Sequence, residues 1–352
     1  MPLRQTPTLP RRVCVARFGA IGDLLMTTPT LRALSRLAPG VEMDYIVGSG
    51  MKDVLSGLPY LRRVIEFDKR INGRPAGMLA YIAGLRRERY DLFLNLQRSV
   101  KTVLLAVGSG APRVLTYHRR RAPLPDGRLQ HTVDNFLDTL QPLGVDPAHS
   151  DRHLDFFIPG AARERVHALL GEAGVGPREP LVVLNPGVSD LVRRWPITHV
   201  AAFFDEMAAR RPDIRLALCG APGDVETARA ILAQTNTAMV TNLAGRTSFK
   251  ETGALLARAN VFVTGDTGPM HLAAAIGTPL VALFGPTDPH RTGPMSPPGR
   301  ALVLVQNENL PCVPCRSHEC ARGDNACMVR QTPAQVIAAV ERHLQTAEGA
   351  AA

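Results

Sequence analysis

Apolar runs four or five residues long alternate along this chain with longer stretches whose apolar positions recur every three or four residues. The first kind reads as buried strands and the second as amphipathic helices. Val13–Arg17 is a strand, followed by a glycine-containing turn and one helix to about Ala38, where Pro39-Gly40 stops it. Strands at Met43–Val47, Val64–Phe67, Leu92–Asn95 and Arg113–Thr116 follow, with helical stretches at Met78–Arg89 and Val133–Leu143. The segment from Asp155 to Pro180 carries a helix over Ala161–Ala173 and then Gly174, Gly176, Pro177 and Pro180, the composition of a boundary. The alternation restarts beyond it. Strands are expected at Leu181–Leu184, Arg215–Leu218, Val261–Thr264 and Leu280–Phe284. Helices are expected at His199–Arg210, Val225–Thr235, Phe249–Ala257, Met270–Ile276 and Pro333–Leu344, the last with no evident partner half. Short apolar strands separated by helices imply parallel sheets covered on both faces. The fold class is therefore α/β, with two Rossmann-like, doubly wound parallel-sheet domains facing a central cleft. The predicted division is 1–160, 161–332, and a terminal helix and tail over 333–352.

Composition narrows the partners. A chain of 352 residues that is 45% hydrophobic has ample core for two domains. It contains no apolar run of the roughly 18 residues needed to span a bilayer. Met1 to Arg12 lacks the apolar core of a secretory signal, so a cytoplasmic location is expected. The net charge of +10 asks for an anionic partner: nucleic acid, a membrane surface or a phosphorylated sugar. Of the 41 basic residues 37 are Arg, a skew that base composition explains as readily as a selected surface. The clusters Arg86, Arg87, Arg89 and Arg119, Arg120, Arg121 read first as solvated faces. Aromatic residues are 5% and do not interleave with them as a base-stacking platform would, which argues against nucleic acid.

Three loops carry chemistry. In Val261-Phe-Val-Thr-Gly265-Asp266-Thr267-Gly268-Pro269-Met-His271 a strand runs into a tight turn, and Pro269 suits a first helical turn. Free N–H groups and the dipole at such a helix start attract a diphosphate. The same Gly, Asp and Thr also serve as plain caps. The first strand ends in Arg17-Phe-Gly19-Ala-Ile-Gly22-Asp23, which is neither G-x-G-x-x-G nor a P-loop. Asp23 reads first as a first-turn carboxylate that favours its helix dipole, and second as a general base at the mouth of a cleft. In the second half, Asn185-Pro-Gly187-Val-Ser189-Asp-Leu-Val-Arg193-Arg194-Trp195-Pro196 brings a hydroxyl and two Arg forks suited to diphosphate oxygens. After the next strand, Gly220-Ala-Pro-Gly223-Asp224-Val-Glu226 offers carboxylates for sugar hydroxyls or for a helix start.

Taken together, Gly19-Ala-Ile-Gly22-Asp23, Thr28-Pro29, Arg194-Trp195-Pro196, Gly220-Ala-Pro222 and Gly265-Asp-Thr-Gly-x-x-His271 resemble, in their order, the heptosyltransferases of glycosyltransferase family 9. The resemblance spans nearly the whole chain. It implies the GT-B architecture, an acceptor bound mainly by the first half and an ADP-sugar by the second. It further implies metal-independent, inverting transfer of a heptose or related sugar to a hydroxyl of a lipopolysaccharide core acceptor. By that resemblance Asp23 is the base, beside the acceptor-side loop glycines Gly19 and Gly22. Asp266, Thr267, Gly268 and His271 form the donor loop. Arg193, where many relatives have Lys, neutralises the departing diphosphate. Ser189 is a phosphate-binding hydroxyl, and Glu226 matches a ribose-binding Glu. The implied partners are the nucleotide-sugar and an anionic lipid-linked glycan at the inner face of the inner membrane, with no cofactor beyond the substrate.

Cys312, Cys315, Cys320 and Cys327 crowd into 16 residues, a cluster that recurs in relatives of the family. Four cytoplasmic thiols suit zinc better than disulfides, but the second C-x-x-C of a zinc ribbon is missing, so no metal is assigned. Two other readings compete. A nicotinamide-dependent oxidoreductase requires G-x-G-x-x-G and a ribose-binding acid about 20 residues on, which the first loop does not supply. A non-catalytic sugar-nucleotide-binding protein would hold an ADP-sugar without turnover.

Overall fold

Strands buried on both faces are written as unbroken apolar runs, and the strand β1 (Arg12–Ala16) is buried from its second residue onward. The computed structural model describes residues 9–120, 122–306, 308–315 and 317–346, and the backbone of 347–351. Arg121 of the second basic cluster, and the first eight residues of the amino-terminal segment, lie outside the described residues. The chain divides into two compact units, Met1–Phe157 and Ile158–Ala352.

The first unit holds β1, α1 (Ile21–Met26), α2 (Thr28–Leu37), β2 (Glu42–Gly48), α3 (Lys52–Leu55), β3 (Arg63–Phe67), α4 (Pro75–Arg87), β4 (Leu92–Asn95), α5 (Val100–Gly108), β5 (Arg113–Thr116) and α6 (Thr132–Leu137). Its strands are all parallel in the order β3-β2-β1-β4-β5. The single helix expected up to Ala38 is two helices broken at Thr27. Pro29 has no N–H to offer the carbonyl of Leu25, and the Thr28 hydroxyl bonds that carbonyl instead at 2.8 Å. Thr27 donates back to Leu24 O at 2.6 Å, which closes the first helix. The helix expected at Val133–Leu143 is α only to Leu137. It continues as a tighter 3-10 turn over Asp138–Leu143, which contains Pro142 and ends at Gly144 in the left-handed region (φ 94°).

The second unit holds α7 (Gly160–Glu172), β6 (Leu181–Asn185), α8 (Ile197–Arg210), β7 (Arg215–Leu218), α9 (Val225–Leu232), β8 (Val240–Asn242), α10 (Phe249–Arg258), β9 (Val261–Gly265), α11 (Gly268–Ile276), β10 (Leu280–Phe284), α12 (Pro289–Thr292), β11 (Ala301–Val305), α13 (Ala326–Val329) and α14 (Pro333–Ala351). Its sheet runs β11-β10-β9-β6-β7-β8, again wholly parallel. Counted from its own first strand this is the order 3-2-1-4-5-6 of dinucleotide-binding sheets. The edge strands β8 and β11 were not expected from the sequence. The last helix packs into this unit: Val336, Ile337, Val340 and Leu344 are buried in one core with Trp195, Phe203 and Leu216.

In both sheets the winding reverses beside the first strand, between β1 and β4 and between β6 and β9. Adjacent loops at the carboxyl ends diverge there and leave room for a ligand.

Candidate active site

In the first unit the loop after β1 is built by Arg17. Its guanidinium donates to the carbonyl of Leu96 at 2.6 Å, beyond the end of β4, and stacks 5.0 Å over the ring of Phe136 on α6. The same guanidinium pairs with the Asp23 carboxylate at 2.6 Å. Gln97 accepts from the amide of Phe18, which ties the loop after β4 to the loop after β1. Asp23 lies in the first turn of α1, whose start has no side-chain cap. Its side chain is one-third exposed, at 33%, while Arg17 is nearly enclosed. The ion pair of Asp23 is through one carboxylate oxygen, which the Arg17 cation fixes in place at the end of β1. Gly22 is buried within that turn.

In the second unit the loops after β6 and β9 meet. A Cβ on Gly265 would stand 3.5 Å from the carbonyl of Arg193, so the two loops pass close together. Arg193 spans the gap, with one arm 3.3 Å from Asp190 and the other 3.5 Å from Asp266. Asp190 in turn meets His318 at 2.6 Å. Asn185 donates to the hydroxyl of Thr264 at 3.2 Å, and Thr264 lies 3.3 Å from the hydroxyl of Thr267. Because the Thr267 side chain is engaged there, it does not cap α11, and the first turn of that helix carries no side-chain cap. Its N–H groups and dipole are directed out of the carboxyl end of the sheet, with a guanidinium alongside. Asp266 and His271 are buried, and His271 stands one turn into α11. Ser189 is exposed and lines, with Asp190, Val192, His318 and Cys320, an open groove of about 510 Å³.

Most of the expected donor residues thus fall on neighbouring loops: Ser189, Arg193, Asp266, Thr267 and Gly268. Glu226 follows β7, the strand beside β6, in the segment whose Asp224 approaches the loop at Gly187. It is an exposed residue of the first turn of α9 and pairs with Arg229. Asp224 closes its own turn by accepting from the amide of Ala221 at 2.8 Å. It lies so near the preceding loop that a Cβ on Gly187 would come within 2.4 Å of its carboxylate. Sequence reasoning missed Arg17, Asp190 and His318, each of which has a partner far away in the chain, Leu96 for Arg17 and His318 for Asp190.

The four late cysteines are free thiols, with Cys312 exposed and Cys327 buried. Amide donation from Asn325, Arg322 and Gly323 draws the Cys320 thiol below its usual range. Burial, then the neighbouring Cys320, Cys312 and Cys315, push Cys327 up. A separate hollow of about 270 Å³ between α7 and α10 is lined by Arg163, His167 and Arg258. Arg258 there binds the carbonyls of Gly176 and Glu179, which precede β6, so this hollow lies toward the amino ends of the strands, opposite the edge where such sheets take ligands.

Two all-parallel sheets of Rossmann order, one presenting a held carboxylate and the other a helix start beside an Arg fork, define a two-sheet α/β protein with the GT-B architecture. Residues 78–324 match the family model described as Glycosyltransferase family 9 (heptosyltransferase). Lipopolysaccharide heptosyltransferase 3 of Escherichia coli is 29% identical over 283 residues, which cover 76% of this chain and 81% of that protein. Among solved structures, the glycosyl transferase family 9 from Veillonella parvula superposes with a TM-score of 0.82 at 23% identity, covering 96% of this chain and 98% of that one. E. coli ADP-heptose lps heptosyltransferase II superposes at 0.75 with 23% identity, covering 96% and 99%. The chain belongs to glycosyltransferase family 9, and it is a glycosyltransferase.

Proposed function

We propose that this enzyme moves a heptose from ADP-heptose to a hydroxyl of a lipopolysaccharide core acceptor, with inversion and without a metal. The observation that carries the reading is the meeting of Arg193 with the uncapped start of α11 at the switch point of the second sheet. A single inverting displacement asks for little more than a base at the acceptor oxygen and compensation of the charge that grows on the leaving diphosphate. In this reading Asp23 takes the proton of the acceptor hydroxyl as that oxygen attacks the anomeric carbon. The bond to the diphosphate breaks on the opposite face of the sugar, and ADP leaves with the electron pair. Arg193 and the first-turn amide of Gly268 hold the diphosphate. Thr267 and Ser189 add hydroxyl contacts, and Asp266 orients Arg193. Glu226, at the start of α9 with Arg229 as an exposed partner, takes the ribose hydroxyls of the donor.

The names of the relatives, among them a lipopolysaccharide core heptosyltransferase of Haemophilus influenzae, support ADP-heptose as donor and a lipopolysaccharide core as acceptor. No helix among the described residues is long and apolar enough to cross a membrane. The net charge of +10 supports an anionic acceptor, and we place that acceptor at the inner face of the inner membrane with the enzyme in the cytoplasm.

The decisive experiment offers ADP-heptose, UDP-glucose and GDP-mannose in turn with a Kdo- or heptose-bearing core acceptor. ADP release and the mass of the product are followed with excess EDTA present. Turnover with ADP-heptose alone, an inverted anomeric centre by NMR, and its loss in Asp23→Ala are expected. Full activity of Asp23→Ala would remove the base, and dependence on a divalent cation would overturn the metal-free reading.

A further inference from the structure

Helix α5 has apolar residues on both of its faces. Its inner face, with Leu105 and Ala106, is buried, and Thr102 joins it there. Its outer face is Val100, Val103, Leu104 and Val107, exposed by 77%, 46%, 48% and 72%. The spacing i, i+3, i+4, i+7 makes these four a continuous stripe. The stripe does not belong to a fraying end, because Ser99 and Thr102 form a capping box that fixes the start of the helix. Beside it runs α4, which has no charged residue from Pro75 to Leu85. Its inner residues Met78, Tyr81 and Ile82 pack on the core, while Leu79 is 68% exposed. The two helices touch where Ile82 lies under Gly108 and where Arg86 donates to the Gly108 carbonyl at 2.8 Å. Ile71, in the turn before α4, adds a further exposed side chain at 66%. Isolated exposed apolar residues need no explanation, but a contiguous pair of helix faces does.

The charge around this surface says what covers it. From Lys69 to Val114 there are nine basic residues and two acidic ones. Both acids are already engaged, Glu88 by Arg62 and Arg63, and Asp91 by the amides of Arg11 and Arg12. Lys69, Arg70 and Arg74 flank the start of α4, and Arg98 and Lys101 the start of α5. The Lys101 ammonium stands against the turn at Gly73, which joins these groups into one rim. An apolar helix face edged by cations is the pattern of a protein lying in the headgroup layer of an anionic bilayer. The cations meet lipid phosphates while the apolar side chains enter below them.

We propose that the outer face of α4 and α5 is a docking surface for an anionic lipid bilayer. The surface also joins the loop that holds the base. Val100 follows four residues after Leu96, whose carbonyl binds Arg17, and Arg17 binds Asp23. The enzyme docked this way receives a lipid-linked acceptor with its sugar near position 23 and its acyl chains still in the membrane. That last step rests on the proposed transfer reaction; the docking itself does not.

The test is flotation with vesicles of phosphatidylcholine alone and of phosphatidylcholine with phosphatidylglycerol, with no substrate present. The full chain should float with the anionic vesicles only and release as salt is raised. The double variant Leu104→Asp/Val107→Asp, checked by circular dichroism for an unchanged fold, should bind at least tenfold more weakly. It should also lose turnover on acceptor embedded in vesicles while keeping turnover on a deacylated, water-soluble acceptor. Wild-type protein that ignores anionic vesicles overturns the proposal, and so does undiminished flotation of the variant. A wild-type oligomer that the two substitutions convert to monomer in gel filtration also overturns it, because the face would then belong to a second copy. Vesicle binding with no transfer to either acceptor would instead leave the surface standing and refute the proposed reaction.

Discussion

In the proposed reaction Arg193 is the residue on which the donor side turns. Its two arms reach Asp190 and Asp266, and a fork held at two points is already oriented for two phosphate oxygens. Replacing it with Ala should lower kcat by about 100- to 1000-fold, the usual loss when one positioned donor of this kind is removed. Arg193→Lys should restore part of it, since the charge returns without the fork. Steady-state ADP release on both variants measures the difference. A second residue governs stability rather than chemistry. Asp44 is fully buried in β2 and accepts from Arg62, Arg63 and Tyr90, each at 2.6 Å. Burial alone would raise its carboxyl, but the bonds to Arg62, Arg63 and Tyr90 prevail and hold it at about 2. A depressed carboxylate stabilises the fold above its unfolded value near about 4 and loses that contribution as pH falls toward the folded value. Asp44→Asn should therefore destabilise the first unit by about 3 kcal/mol at neutral pH, with less acid dependence below about pH 4 than the wild type. Urea melts across that range test it. Residues of the two kinds differ in how openly the sequence displays them. Asp266, Thr267 and Gly268 stand out because a strand runs straight into a glycine turn. Arg17 and Asp190 do not, because what fixes each beside its near partner, Asp23 or Arg193, is a bond to Leu96 or His318, 79 and 128 positions away.

At the scale of elements, legibility follows burial. Strands such as β6 and β9 are buried at every residue, so their apolar runs announce them. β8 is three half-buried residues at a sheet edge and carries no such run. β11 does carry one, Ala301–Val305, but the helices on either side of it, α12 and α13, are four residues each and too short to show a period. The break between α1 and α2 was hidden for another reason. It depends on side-chain hydroxyls that replace helical amides, and Thr is an ordinary residue in either setting. The Thr28 hydroxyl donates to Leu25 O at 2.8 Å in this way and also accepts from the amide of Asp155 at 2.8 Å. Thr28→Val keeps the shape and leaves both backbone groups unmet, so a loss of about 2 kcal/mol is expected in thermal or urea melts. Thr28→Ser should lose much less, since its hydroxyl keeps both partners.

At the scale of the molecule, the two wound halves were legible because the alternation of strand and helix stops at a Pro/Gly-rich segment and begins again. Where the terminal helix belongs was not legible, since an amphipathic pattern shows that a face is buried without naming its partner. The structure gives α14 to the second unit. Ending the chain before Pro333 would remove Val336, Ile337, Val340 and Leu344 from that core. Each buried aliphatic side chain contributes about 1.5–3 kcal/mol, and four together rival the whole stability of an ordinary domain. The shortened chain should therefore keep a folded first unit and lose the second, along with any binding of ADP. Limited proteolysis with mass spectrometry would find a resistant fragment ending near Phe157.

The chain has a single Trp, and its position makes the protein its own reporter. Trp195 sits two residues beyond Arg193, is 5% exposed, and donates from its indole nitrogen to the carbonyl of Gln331 at 2.7 Å. All of the indole fluorescence therefore comes from the base of the loop that carries the Arg fork. Titration with ADP should change the intensity or wavelength of that emission, and Arg193→Ala should move the midpoint to higher nucleotide concentration without altering the starting spectrum. Donor affinity can thus be followed optically, without label and without turnover.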